Sequence, residues 1–124
     1  MYLVYIIQSE NRSYIGMTND FFKRWKQHNK ILKGGAKYTS KYENWTPLCI
    51  VDGFETKREA MQCEWRLKRA KGYYKRLKYL SQILQKNTKW TKNSPLISSQ
   101  NLSIYVTDHF KHLFPFETKE LVWF

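Results

Sequence analysis

Cysteine is scarce in this sequence, which has only two, Cys49 and Cys63, among its 124 residues. Both stand in apolar or helical surroundings, and they lack the C-x-x-C spacing of a zinc site. A disulfide framework is not indicated either. We therefore predict a reduced, intracellular protein that is cytoplasmic, or nuclear if the source is a eukaryote.

Long apolar runs are missing as well. No stretch approaches the roughly 20 apolar residues that a membrane-spanning helix needs. The N-terminus also lacks the basic region with which a signal peptide begins. We expect no membrane partner and no secretion.

Acidic residues are few. Ten Asp and Glu stand against 22 Lys and Arg, which gives a formal net charge of +12. Ten basic residues lie between Arg66 and Lys92, and no acid occurs from Trp65 to Thr107. A positive field of this kind attracts polyanions, so nucleic acid is the first partner to consider. A solvated basic helix face without a partner is the alternative, and an anionic membrane surface is a third and weaker option.

The front of the chain predicts a β-hairpin followed by a helix. "MYLVYIIQ" is typical of a buried strand, "SENRS" of a turn and "SYIGM" of the returning strand. We expect Tyr5 and Tyr14 to face each other across this hairpin and Gly16 to end the second strand. Residues 18–20 offer a cap for a helix of about a dozen residues, on which Arg24 and His28 share a face.

The middle of the chain predicts one more strand and two more helices. "LCIVDGF" follows a loop that contains two glycines and a proline, and it reads as a third strand. Thr56 and Glu59 form a capping-box pattern that opens a helix ending near Gly72. A further basic helix is expected over residues 73–86.

These elements predict an α+β fold with a small, mostly antiparallel three-stranded sheet flanked by helices. We assign residues 1–86 to this domain. Residues 87–124 form a C-terminal extension of unknown role, with "LSIYV" as a possible strand, that packs on the domain or mediates self-association. The oligomeric state is open.

Glu64 is unusual within its predicted helix because its neighbours one turn away, Ala60 and Leu67 among them, are apolar. A carboxylate in that position must be paired, protonated or bound to a cation. Mg²⁺ can be held by one carboxylate together with a substrate phosphate. A salt bridge to Lys68 or Arg69 is the alternative explanation.

Five segments in order resemble the GIY-YIG endonuclease domain, over about residues 1 to 85. They are "LVYII", "SYIGMT", "KRWKQHN", "GGAKYTSKYENWTPLCIVDGF" and "REAMQCEWRLKR". The sequence is similar in particular to Slx-type structure-selective nucleases and to the short bacterial proteins built from this domain. It departs from the family's first motif, where Leu3 and Val4 stand in place of the usual glycine and isoleucine.

The resemblance implies a metal-dependent phosphodiesterase that hydrolyses DNA in one step, with Mg²⁺ as cofactor and Mn²⁺ as a possible substitute. Carried over by position, the catalytic residues are Tyr5, Tyr14, Arg24, His28 and the metal ligand Glu64. An arginine can contact two non-bridging phosphate oxygens with its planar guanidinium. We favour Tyr5 as the general base, supported by Tyr14 and His28, although these three roles could exchange.

The predicted substrate is DNA recognised by shape, such as branched or flapped DNA, because no sequence-reading motif is present. The predicted nucleic-acid-binding residues are Lys37, Tyr38, Arg66, Lys68, Arg69, Lys71, Lys75, Arg76 and Lys78. Slx-type nucleases usually carry a zinc-binding module for a scaffold partner, and this sequence lacks the cysteines for one. A binding module without turnover and a nuclease acting on RNA are the alternative functions. His109 and His112 lack further ligands nearby and do not indicate a metal site.

Overall fold

The computed structural model describes residues 1–86 and 88–122. Within these ranges the chain forms a five-stranded sheet, three α-helices and three short 3₁₀ helices. The elements in chain order are β1 (Tyr2–Ser9), β2 (Arg12–Thr18), α1 (Phe21–His28), β3 (Thr46–Phe54), α2 (Lys57–Leu67), α3 (Tyr73–Lys86), β4 (Ser103–Val106) and β5 (Lys119–Glu120).

The sheet has the strand order β2-β1-β3-β4-β5 and is mixed. All neighbouring strands are antiparallel except β4 and β5, which are parallel. The α+β class is correct, but the predicted three-stranded sheet is wrong. The free edge of β3 pairs residues 49–52 with β4, and β5 then pairs with β4, so the segment after residue 86 supplies two strands.

The β1–β2 hairpin has a different register from the predicted one. Ser9 pairs with Arg12, so the turn consists of Glu10 and Asn11 alone, with Glu10 in a left-handed conformation at φ 55°. Tyr5 therefore faces Gly16, whereas Tyr14 faces Ile7. Because both pairs lie on one side of the hairpin, the two tyrosines are diagonal neighbours. Gly16 lies inside β2 and does not end it.

α1 and α2 begin at side-chain caps. The Asp20 carboxylate accepts the backbone N–H of Lys23 at the start of α1. The Thr56 hydroxyl accepts the N–H of Glu59, which confirms the predicted start of α2. α1 and α2 both end earlier than predicted, at His28 and at Leu67.

Each face of the sheet carries its own hydrophobic cluster. Buried residues of α2 and α3, such as Cys63 and Leu80, pack on the face that Val4 and Ile6 occupy. Tyr5, Ile7, Trp45 and Ile50 form the cluster of the opposite face, where Phe21 of α1 packs against them. α1 and α2 thus flank the outer strand β2 from opposite sides, and the candidate site lies at this edge.

The segment after residue 86 packs against the cluster on the face of the sheet that α2 and α3 cover. Trp90, Ile97, Phe110 and Phe114 are buried and belong to the cluster beneath α2 and α3. "LSIYV" does contain a strand, β4. The division of the chain at residue 86 stays a prediction.

Helices of the described ranges do not combine the length and the apolar character needed to cross a membrane.

Candidate active site

Three rings from three different elements meet beside β2. Tyr5 of β1, Tyr14 of β2 and His28 of α1 lie with ring centroids 5.0 to 6.4 Å apart. Tyr5 and His28 are buried, whereas Tyr14 is half-buried. The structure thus brings together three of the predicted catalytic residues, which are separated in the sequence by a turn and a helix.

A chain of hydrogen bonds fixes the imidazole of His28. The Tyr5 phenol oxygen lies 2.6 Å from His28 Nε2, and Thr39 Oγ1 lies 2.7 Å from His28 Nδ1. The Thr39 hydroxyl donates its proton to the carbonyl of Ala36 at 3.1 Å, so it accepts from His28. Nδ1 therefore carries the imidazole proton, and Nε2 accepts the hydroxyl proton of Tyr5.

The electrostatic environment keeps both partners neutral near pH 7. Burial raises the pKa of the Tyr5 phenol above its ordinary value, and a hydrogen bond from Arg24 opposes that increase. Burial lowers the pKa of His28 to about 4, and the positive charge of Arg24 contributes in the same direction. Tyr5 is consequently a hydrogen-bond donor in this arrangement and not a phenolate.

Arg24 is held beside these rings by the loop that follows α1. Its Nη1 donates to Gln27 Oε1 and to the carbonyl of Gly34, both at 2.8 Å. These bonds restrict the orientation of the guanidinium, which is near enough to Tyr5 to oppose the increase in its pKa. The predicted phosphate-binding group is therefore oriented by its neighbours within the site.

Glu64 approaches the same edge from α2. Its Oε1 lies 2.7 Å from Lys68 Nζ, one helical turn along, so the salt bridge considered from the sequence is present. Glu64 is also close enough to Tyr5 that its negative charge contributes to the raised pKa of the phenol. The carboxylate side chain keeps 21% of its surface exposed. It can therefore reach an incoming ligand.

Gly16 provides the space that the two tyrosines occupy. A Cβ atom added at this position would meet the Tyr5 phenol oxygen, and it would lie 2.5 Å from Tyr5 Cζ and 3.1 Å from Tyr14 Cε2. No real side chain tolerates the shorter contacts, so Tyr5 can lie across β2 only because residue 16 is glycine.

An open cleft of about 430 Å³ runs along the outer edge of β2. Tyr14 and Tyr38 form part of its wall, and their rings stack with a centroid separation of 6.2 Å. The cations that line it are Arg12, Lys68, Lys71 and Arg76. Three of these four are among the predicted DNA-binding residues.

The remaining predicted binding residues fall into two groups. Lys37, Lys75 and Lys78 are exposed. Arg66 donates to the Tyr79 hydroxyl and to the carbonyls of Lys89 and Trp90, so its guanidinium ties α2 to the segment after α3. Arg76 similarly donates to Ala70 and Ser13, and Arg69 lies over the ring of Trp65. The DNA-binding role of the whole set stays a prediction.

Three residues of the site were missed by the sequence reasoning: Gln27, Gly34 and Thr39. Gln27 contacts Arg24 from three residues along α1. The signals of Gly34 and Thr39 are weak, because they act through contacts with Arg24 and His28 that only the folded loop creates. The sequence offers one partial hint, since a buried histidine needs partners for both ring nitrogens and the loop contains Thr and Ser.

Comparison with known proteins supports the resemblance. The model of a family described as the GIY-YIG catalytic domain matches residues 1–79. The chain belongs to this family. It is 35% identical over 100 residues to a Giardia intestinalis protein named structure-specific endonuclease subunit SLX1 homolog, which covers 81% of this chain and 27% of that protein.

Two further relatives of this GIY-YIG protein match about half of the chain. The structure-specific endonuclease subunit slx1 of Schizosaccharomyces japonicus is 43% identical over 68 residues, 52% of this chain and 25% of that protein. A UPF0213 protein of Bacillus velezensis is 48% identical over 63 residues, 51% of this chain and 61% of that protein. The chain thus spans about a quarter of the length of the two SLX1-type relatives.

Proposed function

We propose that this GIY-YIG protein is a Mg²⁺-dependent endonuclease that hydrolyses DNA phosphodiester bonds and selects branched or flapped DNA by shape. The observation that carries the proposal is the hydrogen bond between the Tyr5 phenol and His28 Nε2, with the charge of Arg24 close enough to influence the pKa of both groups. Groups that transfer protons, placed beside a guanidinium that stabilises negative charge, can promote hydrolysis of a phosphodiester. The names of the SLX1-type relatives support the choice of reaction.

The proton transfers follow from the direction of the hydrogen bonds. As a water molecule attacks phosphorus, one of its protons passes to the Tyr5 oxygen, and the phenol's own proton passes to His28 Nε2. The bond from phosphorus to the 3′-oxygen breaks in the same step, and the departing 3′-oxygen takes a proton from solvent. Arg24 stabilises the charge that accumulates on the non-bridging oxygens. The lone pair of His28 Nε2 is free for the proton because the imidazole is neutral, and Thr39 keeps Nε2 oriented toward Tyr5. The negative charge that gathers on the phosphate would offset the cost of the buried imidazolium.

The residues present fit one hard cation bound largely by water and substrate. In the described residues no group of three His, Cys, Asp or Glu side chains could enclose a metal ion. Mg²⁺ does not require such a group, since it usually keeps several waters and binds one or two carboxylates with substrate phosphates. Glu64 would hold it, and when bound it would supply positive charge to a phosphate oxygen and to the leaving 3′-oxygen.

Recognition by shape agrees with the cleft. Its cations, Lys68 and Lys71 among them, can contact phosphates along a backbone but do not form the helix or ribbon that enters a DNA groove. Substrates in which the backbone bends or separates at a junction would reach the buried site more easily than a straight duplex.

The test is cleavage of labelled flap, three-way, four-way and linear DNA, and of matched RNA, with Mg²⁺ and with EDTA. We expect cleavage near the branch point in Mg²⁺ alone, and its loss in Glu64→Ala and Arg24→Ala. Glu59→Gln on α2 and Lys23→Ala on α1 are the matched controls and should cut normally. Binding of every substrate without a cut product would contradict the proposal and support a binding module. Cleavage of RNA but not of DNA would show that the substrate is RNA.

A further inference from the structure

A second surface, separate from the cleft beside β2, lies along the outer side of α2. Met61 and Trp65 are each 52% exposed there, although both are large apolar side chains. They line an open, mostly apolar groove of about 720 Å³ between α2 and the segment around residue 92. An exposed groove of this kind on a small protein indicates a binding surface.

The groove is framed by positive charge. Its lining includes Lys57, Arg58 and Lys92, and none of the lining residues in the described part of the chain is acidic. A second cleft continues from Lys92 past Lys89 and Lys86. An apolar floor framed by cations suits a ligand that combines flat apolar rings with regularly spaced anions.

Trp65 has the features of a stacking platform. The guanidinium carbon of Arg69 lies 4.0 Å from the centre of its ring, which restrains the indole. The ring also lines the groove. Aromatic side chains of this kind bind successive bases of single strands with little regard to sequence, because every base presents a π-face.

The position of Trp65 relates the groove to the candidate active site. Trp65 follows Glu64 directly on α2, and Arg69 follows Lys68, so the groove and the carboxylate share one helix with side chains about 100° apart around its axis. A strand that leaves the cleft over Lys68, at the end of α2, could therefore continue along this helix to Trp65.

We infer that this groove is a binding site for single-stranded DNA, in which a base stacks on Trp65 and the flanking phosphates contact Arg58 and Lys92. The inference rests on the proposed function for the choice of DNA as ligand. The site would hold the unpaired strand of a flapped substrate and so contribute to selection of branched DNA.

Binding is tested without catalysis by fluorescence anisotropy of a labelled 12-nucleotide oligothymidylate and of a blunt duplex, in EDTA. In Trp65→Leu we expect about tenfold weaker binding of the oligothymidylate and little change for the duplex. Trp65→Phe keeps an aromatic face and should stay within about threefold of the original affinity. Leu96→Ala is the control, because Leu96 has a similar exposure of 50% and does not line the groove.

The contribution of the positive charges to binding is measured separately, from its salt dependence. In Lys92→Gln and Arg58→Gln the slope of log K against log salt for the oligothymidylate should decrease by about 0.7 for each phosphate that the protein no longer neutralises. Unchanged thermal unfolding in all variants would show that the fold is intact, as expected for exposed side chains.

Several results would overturn the inference. One is an unchanged affinity for oligothymidylate in Trp65→Leu, and another is an equal loss of affinity for oligothymidylate and duplex in that variant. A third is no binding of oligothymidylate by the original protein. The last is Trp65-dependent binding of a polyglutamate peptide that is stronger than the binding of oligothymidylate. Flap cleavage with unchanged affinity in Trp65→Leu would overturn this site alone and leave the nuclease standing. Trp65-dependent binding of oligothymidylate without any cleavage would support this site and contradict the proposed nuclease activity.

Discussion

The phenol oxygen of Tyr5 lies 2.6 Å from Nε2 of His28, and only 1% of the His28 surface is exposed. The imidazole therefore bridges β1 and the loop that carries Thr39 while it stays neutral and out of water. A histidine in this position links the chemistry of the site to the stability of the fold, because its protonation would place an unfavourable charge among buried groups.

Acidification should therefore destabilise the protein below pH 6.5. The pKa of His28 is lowered from an ordinary 6.5 to about 4, so the unfolded chain binds the proton first as pH falls. The stabilisation is complete above pH 6.5 and is lost progressively down to about pH 4. From the pKa difference, the free energy of unfolding should fall by roughly 3 kcal/mol over this range, measured by urea denaturation.

His28→Gln is the matched variant for this prediction, because glutamine keeps a polar side chain that does not titrate. It should be less stable at pH 7, but its free energy of unfolding should change less between pH 6.5 and 4. His109 and His112 are exposed and remain in both proteins, so they serve as an internal control. An equal pH dependence in the two proteins would contradict a buried, neutral His28.

Thr39 should act as a positioning residue. In Thr39→Val the shape of the side chain is kept, but the oxygen that accepts the Nδ1 proton of His28 is removed. We expect cleavage to slow by at least about tenfold, since the imidazole would no longer be held in one tautomer. The ¹⁵N chemical shifts of the imidazole should show a single Nδ1–H tautomer in the original protein and a mixture in the variant. A purely structural role would lower stability and leave the tautomer unchanged.

Gly16→Ala should disrupt the site through the Tyr5 ring. The added methyl group would lie 2.5 Å from Tyr5 Cζ, which forces the ring or the strand to move and should cost about 1–3 kcal/mol of stability. A double-mutant cycle with Tyr5→Leu separates the causes, because the shorter side chain removes the clash. If Gly16→Ala costs as much in the Tyr5→Leu background as alone, the glycine is needed for the backbone and not for the ring.

The grouping of Tyr5, Tyr14, Arg24 and His28 could be predicted because short-range signals fix it. Two strands and a turn bring the tyrosines together, and the four-residue spacing places Arg24 and His28 on one face of α1. The register could not be predicted from the same signals. "SENRS" contains no glycine to mark the turn, and it is Glu10 that adopts the left-handed conformation.

The extent of the sheet was missed for a different reason. β4 pairs with β3 although α2 and α3 lie between them in the sequence, and β5 is two residues long. Local propensity contains almost no information about such pairings, which depend on tertiary contacts such as those of Trp90 and Phe114 with the core. The contacts of Thr39 with His28 and of Gly34 with Arg24 depend in the same way on the folded loop.

The basic residues should separate into two experimental classes. Arg76→Gln removes bonds to the carbonyls of Ala70 and Ser13 and should lower the free energy of unfolding by about 2 kcal/mol. Lys75→Gln and Lys78→Gln change exposed side chains, so they should leave stability nearly unchanged and reduce the salt dependence of DNA binding. Thermal unfolding and binding at several salt concentrations measure both effects. Equal stability of all three variants would contradict a structural role for Arg76.

The salt bridge between Lys68 and Glu64 should compete with a metal ion for the carboxylate. The pair is partly exposed, so it contributes little to stability, and Lys68→Met should unfold almost normally. Removal of the ammonium group leaves the negative charge of Glu64 uncompensated, and we expect several-fold tighter binding of Mn²⁺, followed by its electron paramagnetic resonance signal. Glu64→Gln in the Lys68→Met background should abolish that gain, whereas Glu59→Gln in the same background should keep it. If Mn²⁺ binds Lys68→Met no better than the original protein, Glu64 is not the ligand, and the salt bridge alone explains a carboxylate on this helix.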